Sequence, residues 1–187
     1  TIDYHWRLIS RGWDVFRSQF PLQTLINPTV VNDMINSLVE LADESGLGYL
    51  ERWEFLNAYS GCMLGNPAIP VMVDAYNKGI RDFDIEKAYR AALTTSELFG
   101  NEQLGFSTIK NSSISSTLEY AYSEWCMSVF ADSLGKTEDA EKYRTLSRSY
   151  LNVFDLEKNW FRPKNEEGNW LPWPENIKMR VCFPSFA

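Results

Sequence analysis

Gly46, Gly79, Gly100 and Gly135 each close a run with helical periodicity, and strand patterns are nearly absent from the 187 residues. Residues 29–44, TVVNDMINSLVELADE, place Val30, Met34, Leu38 and Leu41 four, four and three apart, which is one helical face. The aromatic stretch LGYLERWEFLNAYSG then reads as a loop. In GCMLGNPAIPVMVDAYNKGI, residues 61–80, the Asn66 side-chain oxygen is the expected cap and Pro67 and Pro70 fit the first turn. Val71, Ala75 and Tyr76 carry the apolar side, and Lys78 suits the negative end of the helix dipole. Asp84 is the expected cap of IEKAYRAALTTSELF, and residues 101–115 read as a polar loop. Ser116 and Glu119 have capping-box spacing at the head of SSTLEYAYSEWCMSVFADSLG. Thr137 is the expected cap of EDAEKYRTLSRSYLNVF, along which Tyr143, Leu146, Tyr150 and Phe154 form a stripe. From about residue 155 onward Pro, Gly, Asn and Trp predict an extended loop, and only MRVCFPSF, residues 179–186, reads as a strand. The predicted fold is all-α, built of antiparallel helical hairpins in a single domain: a bundle, a solenoid or part of an α/α toroid.

Charge narrows the partners. The net charge is −7 and the basic residues form no stripe, which argues against nucleic acid or an anionic membrane surface. No run of 18 apolar residues is present to span a bilayer. The only histidine is His5, so a Ser-His-Asp triad would have to use it, and a His-rich metal site within the chain is excluded. Any catalysis here falls to carboxylates. Cys62, Cys126 and Cys182 are far apart and form no CxxC motif, so buried thiols are expected, although the count also allows one disulfide.

Three groups exceed what helix packing requires. Trp13, Asp14 and Arg17 fall on one turn, with Asp14 and Arg17 three apart. An indole beside a charged hydrogen-bonding pair suits a sugar, the ring against the pyranose face and the charges on hydroxyls. An ordinary surface ion pair beside a core Trp fits the same spacing. Trp53 and Glu54 sit in the aromatic loop, where Glu54 fits a general acid, a sugar ligand or a solvated side chain. Asp74 and Lys78 are four apart and read as a helical ion pair.

Taken in order, GWDVFRSQFPLQTLINP, ERWEF, GCMLGNPAIPVMVDAYNKGIRDFD, SSTLEYAYSEWCMSVFADSLGK and DAEKYRTLSRSYLNVFD, followed by WFRPKNEEGNW, resemble glycoside hydrolase family 92. The resemblance runs over nearly the whole chain. It implies an inverting, exo-acting, calcium-dependent α-mannosidase, with a mannose-containing glycan as partner and a partial (α/α)6 toroid as fold. It places Trp13, Asp14 and Arg17 in the terminal-mannose pocket and Trp53 with Glu54 near its mouth. The family's N-terminal β-sandwich and the later toroid segments, with the general acid, the general base and much of the ion site, have no counterpart in residues 1–187. No catalytic residue and no metal ligand is therefore expected within them, and the chain alone is expected to be inactive. Asn66-Pro67 stands where the family often carries His. The resemblance also implies a periplasmic or extracellular location. A tetratricopeptide-like interaction module and another (α/α)6 carbohydrate-active enzyme are the alternatives.

Overall fold

A computed structural model describes residues 12–55, 58–59, 61–109 and 112–173, with the backbone alone at 54–55 and 58–59. Seven α-helices follow one another among these residues: α1 Gly12–Val15, α2 Gln19–Ile26, α3 Pro28–Glu44, α4 Ala68–Asn77, α5 Ile85–Leu98, α6 Ser113–Ser133 and α7 Thr137–Leu146. A 3₁₀ turn, Ser149–Val153, follows α7. Two antiparallel strand pairs interrupt the series. In the first, β1 (Glu54–Phe55) sets Glu54 opposite Tyr59 of β2 (Ala58–Tyr59). In the second, β3 (Phe154–Asp155) sets Asp155 opposite Trp160 of β4 (Trp160–Phe161).

The longest helix, α6, organises the rest. It packs on α7, α4, α5 and the 3₁₀ turn, while α3 packs on α2, α4 and α5. This is helix on helix with little sheet, the arrangement of hairpins in a partial (α/α)6 toroid. The core follows from sequence periodicity. Helix α4 buries Ala68 through Val73 as well as Ala75 and Tyr76, so it is apolar almost all round and lies inside. Phe130 of α6 is fully buried, with its ring edge-on to Tyr76 at 5.4 Å and to Tyr89 at 5.5 Å. The Tyr89 hydroxyl donates to Asp139 Oδ2 at 2.6 Å, tying α5 to α7.

Several local expectations hold. Asp84 caps α5, its Oδ1 accepting from the Lys87 N–H at 2.9 Å. Lys78 pairs with Asp74 at 2.7 Å. Gly46, Gly79 and Gly135 take the positive φ that ends their helices.

Others are corrected. The buried face of α3 carries Val31, Ile35, Leu38 and Ala42, whereas Val30, Met34 and Leu41 are half-buried. Asn66 does not cap α4 with its side chain; its Nδ2 donates instead to the Phe99 carbonyl at 2.8 Å, and Pro67 stands at the cap position. The capping box at Ser116 and Glu119 does not form, because α6 begins at Ser113 and Ser116 lies inside it. Thr137 is the first residue of α7, whose cap position is Lys136, with no side-chain cap bond. The Tyr143–Phe154 stripe breaks when α7 ends at Leu146: Tyr143 is buried, Tyr150 is exposed and Phe154 is in β3. His5, Cys182 and the predicted strand at 179–186 lie outside the described residues.

Candidate functional site

The site is built outward from a close backbone approach. A Cβ on Gly12 would sit 2.9 Å from Pro67 Cγ and 3.0 Å from the Arg52 carbonyl oxygen, so only glycine lets α1 press against this part of the chain. That contact positions Trp13, Asp14 and Arg17. The Arg17 guanidinium lies 4.4 Å from the Phe16 ring centroid and 5.5 Å from that of Trp13. Its Nη2 donates to Glu119 Oε1 of α6. The expected Asp14–Arg17 pairing is thus replaced by an ion pair across 102 residues, and Asp14 faces solvent. The Trp13 indole N–H is buried and meets no acceptor among the described residues, so this side chain offers its ring rather than its donor.

Glu119 is seated against Gly65. A Cβ at Gly65 would lie 2.9 Å from Glu119 Cβ and 3.4 Å from Oε2, and the glycine has φ +73°. Replacing Gly65 with Ala is expected to destabilise the protein by about 1–3 kcal/mol, through left-handed strain and displacement of the Glu119 stem. Urea unfolding measures this, and an unchanged midpoint would refute it.

The second expected group sits on the neighbouring hairpin. Trp53 is half-buried just before β1; Glu54 begins β1, and its side chain lies outside the described atoms. Arg52 ties this hairpin to the loop ahead of α4, donating from Nη1 to the Met63 carbonyl at 2.9 Å, with its guanidinium 5.5 Å from the Phe99 ring centroid. Trp13 and Arg17 are therefore brought together directly, while Arg52, the sequence neighbour of Trp53, meets Gly12 and the segment that contains Met63 and Pro67.

The Arg17 and Glu119 side chains are 47% and 19% exposed. Held by each other and by ring contacts, they present fixed donors and acceptors beside aromatic surface. Such a set can bind adjacent hydroxyls.

Glu124 was not singled out by its sequence, although Ala121, Met127 and Ala131 at helical spacing mark its face of α6 as buried. It is 2% exposed, and its Oε1 accepts from the Asn101 backbone N–H at 2.8 Å. Burial pushes its carboxyl up to about 7, against the lowering effect of the Asn101 hydrogen bonds. A value near neutrality is what a general acid needs, but enclosure by Asn101 leaves Glu124 no route to a substrate. Cys126 is a buried thiol pushed up to about 12 by burial, hence protonated and unreactive at neutral pH.

Among the described residues, no three His, Cys, Asp or Glu side chains converge to hold a metal ion. The calcium expected from the resemblance finds no ligand set there. No helix among these residues is long and apolar enough to cross a membrane.

The sequence model of the glycosyl hydrolase family 92 catalytic domain matches residues 4–180. The fold is similar to that of the inverting family GH92 mannosidase BT2199 of Bacteroides thetaiotaomicron, with a TM-score of 0.82 and 31% identity over 89% of this chain and 24% of that one. It is also similar to the family GH92 α-mannosidase BT3965 of the same organism, again with a TM-score of 0.82 and 31% identity, over 88% of this chain and 23% of that one. An uncharacterized secreted glycosidase of Arthroderma benhamiae is 28% identical over 57% of this chain and 18% of its own length. The chain thus spans about a quarter or less of the length of these relatives.

Proposed function

Because the chain belongs to glycosyl hydrolase family 92, we propose that it forms one wall of the terminal-mannose pocket of an inverting exo-α-mannosidase. The observation that carries this reading is the Arg17–Glu119 pair beside Trp13, which joins the turn between α1 and α2 to α6 within the matched stretch. The similarity to two solved mannosidases at 31% identity supports mannose as the sugar. Family membership also disfavours the interaction-module alternative, which predicts no sugar affinity.

Arg17 donates to sugar hydroxyls, Asp14 and Glu119 accept from them, and the aromatic surface of Trp13 covers the C–H face of the ring. These groups bind and orient. Hydrolysis with inversion needs two carboxyl groups about 6.5–9.5 Å apart, one protonating the leaving oxygen and one activating water. In this reading that pair and the calcium ligands lie outside residues 1–187. Trp53 and Glu54 border the pocket mouth.

The test is hydrolysis of an aryl α-mannoside by a longer protein that carries this sequence with the rest of the catalytic domain. Turnover is expected there, lost on chelation of calcium, and none is expected from the 187-residue chain alone. Arg17→Ala in the longer protein is expected to lower kcat/KM roughly 10–100-fold, the scale of one charge-assisted hydrogen bond. Failure of the longer protein to cleave any α-mannoside refutes the mannosidase reading. Chelator-sensitive turnover by the isolated chain refutes the placement of the acid, base and ion site.

A further inference from the structure

Near-parallel aromatic rings extend the site along α6. The Phe16 and Tyr122 centroids are 5.9 Å apart with planes 29° off parallel, and those of Tyr122 and Trp125 are 6.1 Å apart at 21°. Arg17 lies over the Phe16 end. Tyr120, Met127 and Phe130 of α6 are buried and Ile114, Leu118 and Val129 half-buried, yet Tyr122 is 44% and Trp125 51% exposed. Burial is the main cause that holds the Tyr122 phenol up at about 12. What Tyr122 offers outward is therefore apolar ring.

We propose that Trp125, backed by Tyr122, is the stacking platform for the second sugar residue of the glycan, next to the terminal residue held at Trp13 and Arg17. This rests on the terminal-mannose reading above and adds the aglycone side to it. Two further observations favour a sugar. First, the rings continue directly from the Arg17–Glu119 pair, and Glu119 precedes Tyr122 on α6 by three residues, so the same face carries an acceptor and then a ring. Second, α4 packs on α6 and carries Asp74, which pairs with Lys78 at 2.7 Å and is among the groups that raise the Tyr122 phenol. A pyranose needs this combination, an apolar plane for its axial C–H groups and charged groups at the edge for its hydroxyls.

The test is calorimetric or saturation-transfer NMR titration of the longer, calcium-loaded protein with methyl α-mannoside and with a hydrolysis-resistant, thio-linked methyl α-mannobioside. The disaccharide is expected to bind about tenfold more tightly or better, and Trp125→Ala to abolish that preference while leaving the monosaccharide affinity unchanged. Trp125→Phe, which keeps a ring, is expected to retain part of it. Equal affinity for the two sugars, or a preference that survives Trp125→Ala in a folded variant, overturns the platform and leaves the terminal pocket standing. Binding of neither sugar overturns the terminal-mannose reading and the platform with it. Sedimentation showing a dimer that Trp125→Ala dissociates assigns the rings to a second copy of the chain and likewise overturns the proposal.

Discussion

Raising the pH from about 4.5 to 8 is expected to destabilise the protein by about 3 kcal/mol, and Glu124→Gln to flatten that slope. The folded-state value of about 7 lies above the ordinary carboxyl value of 4.5, so between them the folded protein holds a proton that the unfolded chain has released. The stabilisation is complete below the lower value and is lost as the pH passes the upper one. The structural cause is a carboxyl enclosed with Asn101, which supplies the bonds from its backbone N–H at 2.8 Å and its Nδ2 at 3.4 Å, with no paired cation among the described residues. Asn101 also donates to the Thr117 carbonyl at 3.0 Å, and the Ser107 N–H donates to Thr117 Oγ1 at 2.9 Å. Ionising Glu124 thus acts on the whole connection from α5 to α6. Gln keeps an acceptor for the Asn101 N–H and never ionises. Asp155 has the opposite sign. Burial alone would raise its carboxyl, but Arg162 and the Lys158 and Glu157 backbone N–H groups hold it below 3.8, so its contribution is lost only under more acidic conditions. Urea unfolding across this pH range is the measurement. A flat profile, or the same slope in Glu124→Gln, would refute the assignment.

The largest single loss is expected from Phe130→Ala, about 3–5 kcal/mol at any pH. Phe130 is fully buried where α6 meets Tyr76 of α4 and Tyr89 of α5. Truncation deletes two edge-to-face contacts and leaves a cavity whose walls are themselves fixed, since the Tyr89 hydroxyl is held by Asp139. Phe130→Leu is expected to recover part of the loss by filling volume without the ring contacts. A midpoint for Phe130→Ala within 1 kcal/mol of wild type would show that the helices collapse onto the gap.

What could be read from the sequence depended on how far apart the interacting residues are. Asp84 caps α5 because its partner, Lys87, is three residues away. The extent of α3 was legible, but its buried face was misplaced. Val30 and Val31 are both apolar, and choosing between two adjacent faces depends on which neighbouring helix is covered. Ser116 and Glu119 matched a capping pattern locally, while Glu119 is in fact taken by Arg17 from across the fold. Asn66 has the side chain of a helix cap, yet Phe99, 33 residues on, holds its amide. The nearness of Trp13 and Arg17 was legible and the ion-pair partner of Arg17 was not, because Glu119 is near it only in space.

That separation has a consequence during synthesis. Arg17 and its acid are 102 residues apart, so α1 leaves the ribosome long before α6 exists to receive it. At about 5–20 residues per second the delay is on the order of 5–20 s. Over that interval the segment around α1 carries Trp13, Phe16 and Phe20 without the α6 surface that meets Arg17 and stacks on Phe16. The Arg17–Glu119 pair therefore cannot form until α6 has emerged, and chaperones that recognise exposed aromatic segments have their window before then.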